Sequence, residues 1–166
     1  MTNPLSVVSQ HLTRSHGQGK INLELLLRLA RRGHPITAVA SWLDQDPIQE
    51  SVSWRRIPTP TQLPTNWLRC EAFRLCAQHR VSDLLPVTIN NGAAVVAPSV
   101  LNLAMFVHGA WLRSPWHPRH AGSAYGKFQA AFNYHQSKLE RKTFSQAECV
   151  VALASVVKEE LVEYCG

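Results

Sequence analysis

Residues 5–40 constrain this chain more than any other stretch, because three patterns follow one another there without a gap. Leu5 to Leu12 (LSVVSQHL) has the length and the β-branched centre, Val7 and Val8, of a short buried strand. A polar turn bearing two glycines follows, Ser15-His16-Gly17-Gln18-Gly19. From about Ile21 to Arg32 the period changes: Ile21, Leu25, Leu26 and Leu29 recur at i, i+4, i+5 and i+8, the stripe of an amphipathic helix. Glu24, Arg28 and Arg31 face away from that stripe, and Glu24 with Arg28 makes a favourable i,i+4 pair. Gly33 stands where a helix C-cap glycine belongs, and Ile36 to Ala40 (ITAVA) is a second strand. A helix between two strands is a crossover connection, so the two strands run parallel.

The rest of the chain repeats the alternation. Val52 to Ile57 fits a third strand, Pro58 to Pro64 is a proline-rich loop, and Asn66 caps a helix running to about His79. The buried side of that helix draws on Trp67, Phe73, Leu75 and Cys76. Val87 to Ile89 is a fourth strand ending at an Asn90-Asn91-Gly92 turn, and Leu103 to Val107 a fifth, stopping at His108-Gly109. Ser114 to Ser123 has the composition of an exposed loop. A long helix spans roughly Tyr125 to Gln146, with Phe128, Phe132, Leu139 and Phe144 near helical spacing. Cys149 to Leu153 is a sixth strand, and Ser155 an N-cap for a last helix through Cys165. The fold class that results is α/β: a single Rossmann-like, doubly wound domain over residues 1–166 with a mainly parallel sheet. Ligands of such sheets bind outside the carboxyl ends of the strands, which singles out the loops 13–20, 90–92 and 108–113.

Composition narrows the partners. The longest apolar run, Leu101 to Trp111, is broken by Asn102 and His108, well short of the ~20 apolar residues that span a bilayer. The N-terminus lacks the basic start and apolar run of a signal peptide, so a cytoplasmic protein is expected. Cys70, Cys76, Cys149 and Cys165 have no CxxC spacing, which argues for reduced, mostly buried thiols and against a zinc or redox site. A net charge of +6 comes from scattered pairs such as Arg31-Arg32, Arg55-Arg56 and Arg141-Lys142. It suits an anionic membrane surface as well as a nucleic acid. Because the aromatic residues mostly fall on expected core positions, nucleic acid is not expected as a partner.

Several residues have the chemistry of a site. Gly17 and Gly19, with Gln18 between them, let backbone approach a ligand at the head of the first helix, where free N–H groups favour a diphosphate. A dinucleotide fingerprint would need a third glycine where Asn22 stands. His108, at the end of the fifth strand, can donate to a substrate oxygen or act on a proton near neutral pH. Asn90 and Asn91 can contact sugar hydroxyls or simply make the turn. His117, Arg119 and His120 lack a carboxylate or cysteine to complete a metal set. With acidic residues mostly on helices or adjoining turns, acid–base catalysis by this chain alone is not expected.

Three segments together resemble the N-terminal domain of family 4 glycosyltransferases of the GT-B fold. Residues 11–40 are similar to that family's opening unit, with its glycine loop, amphipathic helix, basic-basic-Gly-His turn and valine-rich strand. Residues 105–111 (MFVHGAW) resemble the strand that ends in the N-domain histidine, and residues 139–166 the closing run with its Glu-Arg pair and Val-Val strand. The sequence departs from that pattern at Ala154, where the family usually has serine. The resemblance implies a retaining, metal-independent, hexosyltransferase-type enzyme, with no cofactor beyond its nucleotide-sugar donor and a glycan or lipid-linked acceptor. It implies that Gly17 and Gly19 approach the donor phosphates, that His108 contacts the transferred sugar and that Arg113 shapes the acceptor side. The nucleotide-sugar-binding C-terminal domain of such an enzyme is absent from this sequence, so the chain alone is expected to be inactive. Basic outer helices imply a cytoplasmic protein held peripherally at the inner membrane. The alternative is a self-standing Rossmann-like module that binds a nucleotide or anionic ligand without transfer chemistry.

Overall fold

A computed structural model describes residues 5–44, 52–60, 62–81 and 87–166, with Val87 and Thr88 described by their backbone only. Eight strands are present among them: β1 (Leu5–Val8), β2 (His11–Leu12), β3 (Ile36–Ala40), β4 (Trp42–Leu43), β5 (Val52–Arg56), β6 (Val87–Asn91), β7 (Ser99–Ala104) and β8 (Ala147–Ala152). The helices are α1 (Gly17–Arg31), α2 (Asn66–Val81), α3 (His108–Arg113), α4 (Ala124–Ser145) and α5 (Ser155–Cys165), with a 3-10 turn over Pro118–Ala121. Six strands form one parallel sheet in the order β5-β3-β1-β6-β7-β8. The chain winds outward from β1 in one direction and then, from β6, in the other. The fold is thus α/β and Rossmann-like, with its topological switch point between β1 and β6.

Strand geometry explains the two-sided core. Successive side chains point to opposite faces, so neighbours in one strand join different layers. Val7 and Ala38 pack with Leu23, Leu26, Leu27 and Ala30 of α1, whereas Val8 and Val39 pack with Phe73, Ala77 and Val81 of α2. Each fully buried Val or Leu contributes roughly 1.5–3 kcal/mol relative to exposure. A third cluster, Ala104, Val107, Phe144 and Val157, ties α4 and α5 to the β7 side.

The structure departs from the expected elements where local polar bonds compete with periodicity. The first strand is two pieces: β1 ends at Val8, and β2 pairs instead with β4 in a separate two-stranded sheet. The break is held by Ser9, whose hydroxyl donates to the His11 carbonyl and accepts from Asn22 Nδ2 on α1. The buried face of α1 is Asn22, Leu23, Leu26, Leu27 and Ala30, turned from the expected stripe, and Ile21 is 43% exposed. The glycine segment is not a loop, since α1 begins at Gly17. The fifth strand runs Ser99–Ala104 rather than to Val107, and His108 is the first residue of α3. Asn90 and Asn91 lie in β6 rather than in a turn. Thr65, not Asn66, accepts a first-turn N–H of α2, from Leu68. Ala154, not Ser155, takes the N-cap position of α5 and makes no side-chain bond there.

Burial also differs. Cys76 and Cys149 are exposed, and Cys70 and Cys165 half-buried, so the thiols are not mostly buried. Trp116, Tyr125 and Tyr134 are exposed, so the aromatic residues are not confined to the core. The 114–123 segment is exposed apart from half-buried Ser114 and Pro118 and from His117, which is 1% exposed. Its Nδ1 accepts from the Arg119 N–H, and its Nε2 lies 3.0 Å from Asn133 Nδ2. No helix among the described residues is long and apolar enough to cross a membrane.

Candidate functional site

The carboxyl ends of β1, β6 and β7 open into a cavity of about 530 Å³ between the head of α1, the side of α2 and the inner face of α4. Three groups of side chains furnish it.

At the head of α1, His16 has extended backbone, φ −116 and ψ 127, and its Nδ1 accepts from the Gly19 N–H at 3.4 Å. Its carbonyl accepts from the Lys20 N–H at 2.7 Å. Helix geometry leaves Gly17 and Gln18 without a carbonyl one turn back for their N–H groups. The His16 ring stacks on His11 at 4.5 Å, and His11 stacks on Trp42 at 4.5 Å. That three-ring stack follows from the small sheet, in which His11 and Trp42 are register partners. Burial, and then the neighbouring His16 charge, push the His11 imidazole below the usual histidine range. Gly19 is needed for packing: a Cβ there would lie 3.1 Å from the backbone oxygens of His11 and Thr13.

Across the cavity His108 starts α3, and Glu140 reaches it from α4. Glu140 Oε2 accepts from the His108 backbone N–H at 2.9 Å, while Oε1 lies 2.6 Å from His108 Nδ1. The Glu140 side chain is 2% exposed and that of His108 24%. Phe106 and Phe132 meet the imidazole edge-to-face, with ring centroids 5.0 and 5.9 Å away.

Between these ends, Glu71 on α2 accepts from Arg74 Nε and Nη2 at 2.9 and 2.8 Å and from Gln136 Nε2 at 2.9 Å. Its charge is thereby offset, and α2 is bonded to α4. Arg69 donates through Nε to the Leu63 carbonyl and also lines the cavity. One side of the cavity therefore carries a helix N-terminus, His16 and Arg69, a setting for an anion. The other carries an imidazole held by a carboxylate, a setting for a hydroxyl.

Of the residues singled out in the sequence, Gln18, Gly19, Asn91 and His108 line this cavity. Gly17 is on the first turn of α1 but not among the lining residues. Asn90 is fully buried, and its Nδ2 donates to the Val95 carbonyl at 2.8 Å, which commits it to the fold. Arg113 points elsewhere, its guanidinium 5.0 Å from the centre of the Tyr164 ring. His11, His16, Trp42, Glu71, Gln136 and Glu140 also line the cavity, and nothing in the sequence by itself marks any of them as a site residue. Phe132, Gln136 and Glu140 stand at i, i+4 and i+8, so one stripe of α4 carries a ring, an amide and a carboxylate into the cavity. Placement on a helix did not keep Glu140 from the site. No group of three His, Cys, Asp or Glu residues suited to a metal occurs among the described residues.

A search of curated proteins returned no match. The family model for Glycosyltransferase Family 4 matches residues 15–166, from just before the His16 cap to the end of the chain. That span takes in all five helices and all the main-sheet strands after β1. The chain belongs to glycosyltransferase family 4.

Proposed function

We propose that this chain is the acceptor-side half of a retaining, metal-independent hexosyltransferase that moves a sugar from a nucleotide-sugar donor to a glycan or lipid-linked acceptor. A second, nucleotide-binding domain completes the site, and the chain alone does not turn over. The enzyme works in the cytoplasm, held peripherally at the anionic inner membrane by its net charge of +6. The observation that carries this reading is one continuous cavity with an anion setting at the head of α1 and the His108–Glu140 pair at the other end. A donor laid across it has its diphosphate against the Gly17–Gly19 turn, where oriented N–H groups balance charge without a metal. Its sugar then reaches His108. Gln18 and Asn91 border the path between them.

The test is transfer by the full product of the gene from a panel of nucleotide sugars, in the presence of a chelator, with product anomers read by NMR. Retention of configuration with chelator present, and loss of turnover in Gly19→Val, is the expected result. Inversion, dependence on a divalent ion, or binding without transfer from any donor overturns it, the last leaving the binding-module alternative.

A further inference from the structure

His108 and Glu140 meet through two polar atoms of His108, the peptide N–H and the ring Nδ1, not one. The buried carboxylate uses Oε2 for the backbone N–H and Oε1 for Nδ1, so both the position of α3 and the plane of the imidazole are fixed by one side chain. Asp and Glu oxygens accept only, unless protonated, and the backbone N–H donates only. An ionised Glu140 therefore requires a proton on Nδ1. Phe106 and Phe132 pack against the ring at 85° and 87°, with centroids 5.0 and 5.9 Å away. Nε2 is then the polar atom that the imidazole has left for the cavity it lines.

We propose that Glu140 is a positioning residue that locks neutral His108 in the Nδ1–H form and presents Nε2 to the ligand as a hydrogen-bond acceptor. The inference deepens the proposed function and rests on it for the identity of the ligand, a sugar bearing a free hydroxyl. In the neutral ring Nε2 accepts from that hydroxyl. When the ring gains a proton, Nδ1 still donates to Glu140, so the proton gained is the one on Nε2. The pair thus confines proton exchange to the nitrogen that faces the cavity, and it sets what the site selects: a donor group, a hydroxyl, against the neutral ring. A ligand lacking that hydroxyl, as a deoxy sugar does, leaves Nε2 without its partner and loses roughly ten-fold or more in kcat/KM.

Two readouts test this separately from the wider function. In the 15N-labelled chain as it stands, long-range proton–nitrogen correlation of the His108 ring at neutral pH reports which nitrogen carries the proton. Protonated Nδ1 with bare Nε2 is expected, and a proton on Nε2 with bare Nδ1 overturns the proposal whether or not the protein transfers sugar. In the full gene product, Glu140→Gln is expected to lower kcat by roughly ten- to a hundred-fold with KM little changed, since outer-sphere partners act on orientation. Thermal melts of Glu140→Gln and Glu140→Asp, compared with their kcat, distinguish orientation from folding. A kcat within about two-fold of wild type in a folded Glu140→Gln, where His108→Ala is inactive, sinks the positioning role. If no donor is turned over by the wild type, the proposed function fails while the ring-nitrogen result still decides the tautomer.

Discussion

Alanine at Gly17 and at Gly19, two residues apart on the same helical turn, should shift stability in opposite directions. Neither glycine has a positive φ, so neither substitution meets a backbone penalty. Both gain the same helix preference, roughly 0.5–1 kcal/mol for replacing glycine by alanine inside a helix and less in its first turn. The surroundings differ. A Cβ at Gly17 meets nothing within 4 Å, whereas one at Gly19 lies 3.1 Å from two backbone oxygens and 3.2 Å from His11 Cβ. Those oxygens cannot swing aside as a side chain would. The His11 carbonyl is held by the Ser9 hydroxyl, and the next one along, of Leu12, by the Asp44 N–H at 2.9 Å. Forcing a methyl into such a site costs about 1–3 kcal/mol. The helix term is shared, so the gap between the two variants is close to that cost. It corresponds to roughly 2–4 °C in Tm per kcal/mol for a chain of this size. Urea unfolding of both variants, analysed with a common slope, reads the gap directly. Equal stability of Gly17→Ala and Gly19→Ala would show that the β2 backbone does not press on the head of α1, and the account of Gly19 would fail.

Two further outcomes follow from burial and charge. Burial, with the charges of Arg119 and His120 adding to it, lowers the His117 imidazole below its usual value. The native state thus holds fewer protons there than the unfolded one. The stability this contributes is complete above about pH 6.5 and is lost as pH falls from there through the lowered native value. Tm measured from neutral to mildly acidic pH should fall less steeply in His117→Gln than in wild type, and identical slopes would refute the assignment. For the thiols, Cys76 and Cys149 are exposed, whereas burial raises Cys70 and, with Glu140 adding and Arg141 opposing, pushes Cys165 up to about 11. A thiol reagent at mildly alkaline pH should consume two groups quickly and two more slowly. Four equal rates would contradict the half-buried placement of Cys70 and Cys165.

The parallel direction of the main sheet was legible where a helical period separates two short apolar runs, as α1 separates β1 from β3; the strand order was not. The site was legible only where a residue type carries the signal by itself. Gly19 and His108 stand out in a line of sequence, and both line the cavity. Glu140 does not stand out, because α4 buries Asn133, Gln136, Glu140 and Thr143 along with Phe144. A helix whose inner face is this polar has little apolar periodicity, and the phenylalanines suggest a stripe that the structure only partly uses. Asn90 and Arg113 are examples of side chains whose partners the sequence does not show. Each has a side chain suited to a sugar, yet Val95 and Tyr164, met only through the fold, take them. The His11–His16–Trp42 stack depends on a two-residue sheet, and pairing of Trp42 with His11 has no local signature.

The most direct measurement is kcat/KM of His108→Ala and Arg113→Ala in the full gene product with its preferred nucleotide sugar. A loss on the order of 100-fold or more is expected for His108→Ala, the range for removing one hydrogen-bonding group at a reacting centre. For Arg113→Ala, whose guanidinium lies over Tyr164, a value within about three-fold of wild type is expected. The reverse result, an active His108→Ala and a silent Arg113→Ala, would move the site away from the cavity between α1 and α4 and contradict the account.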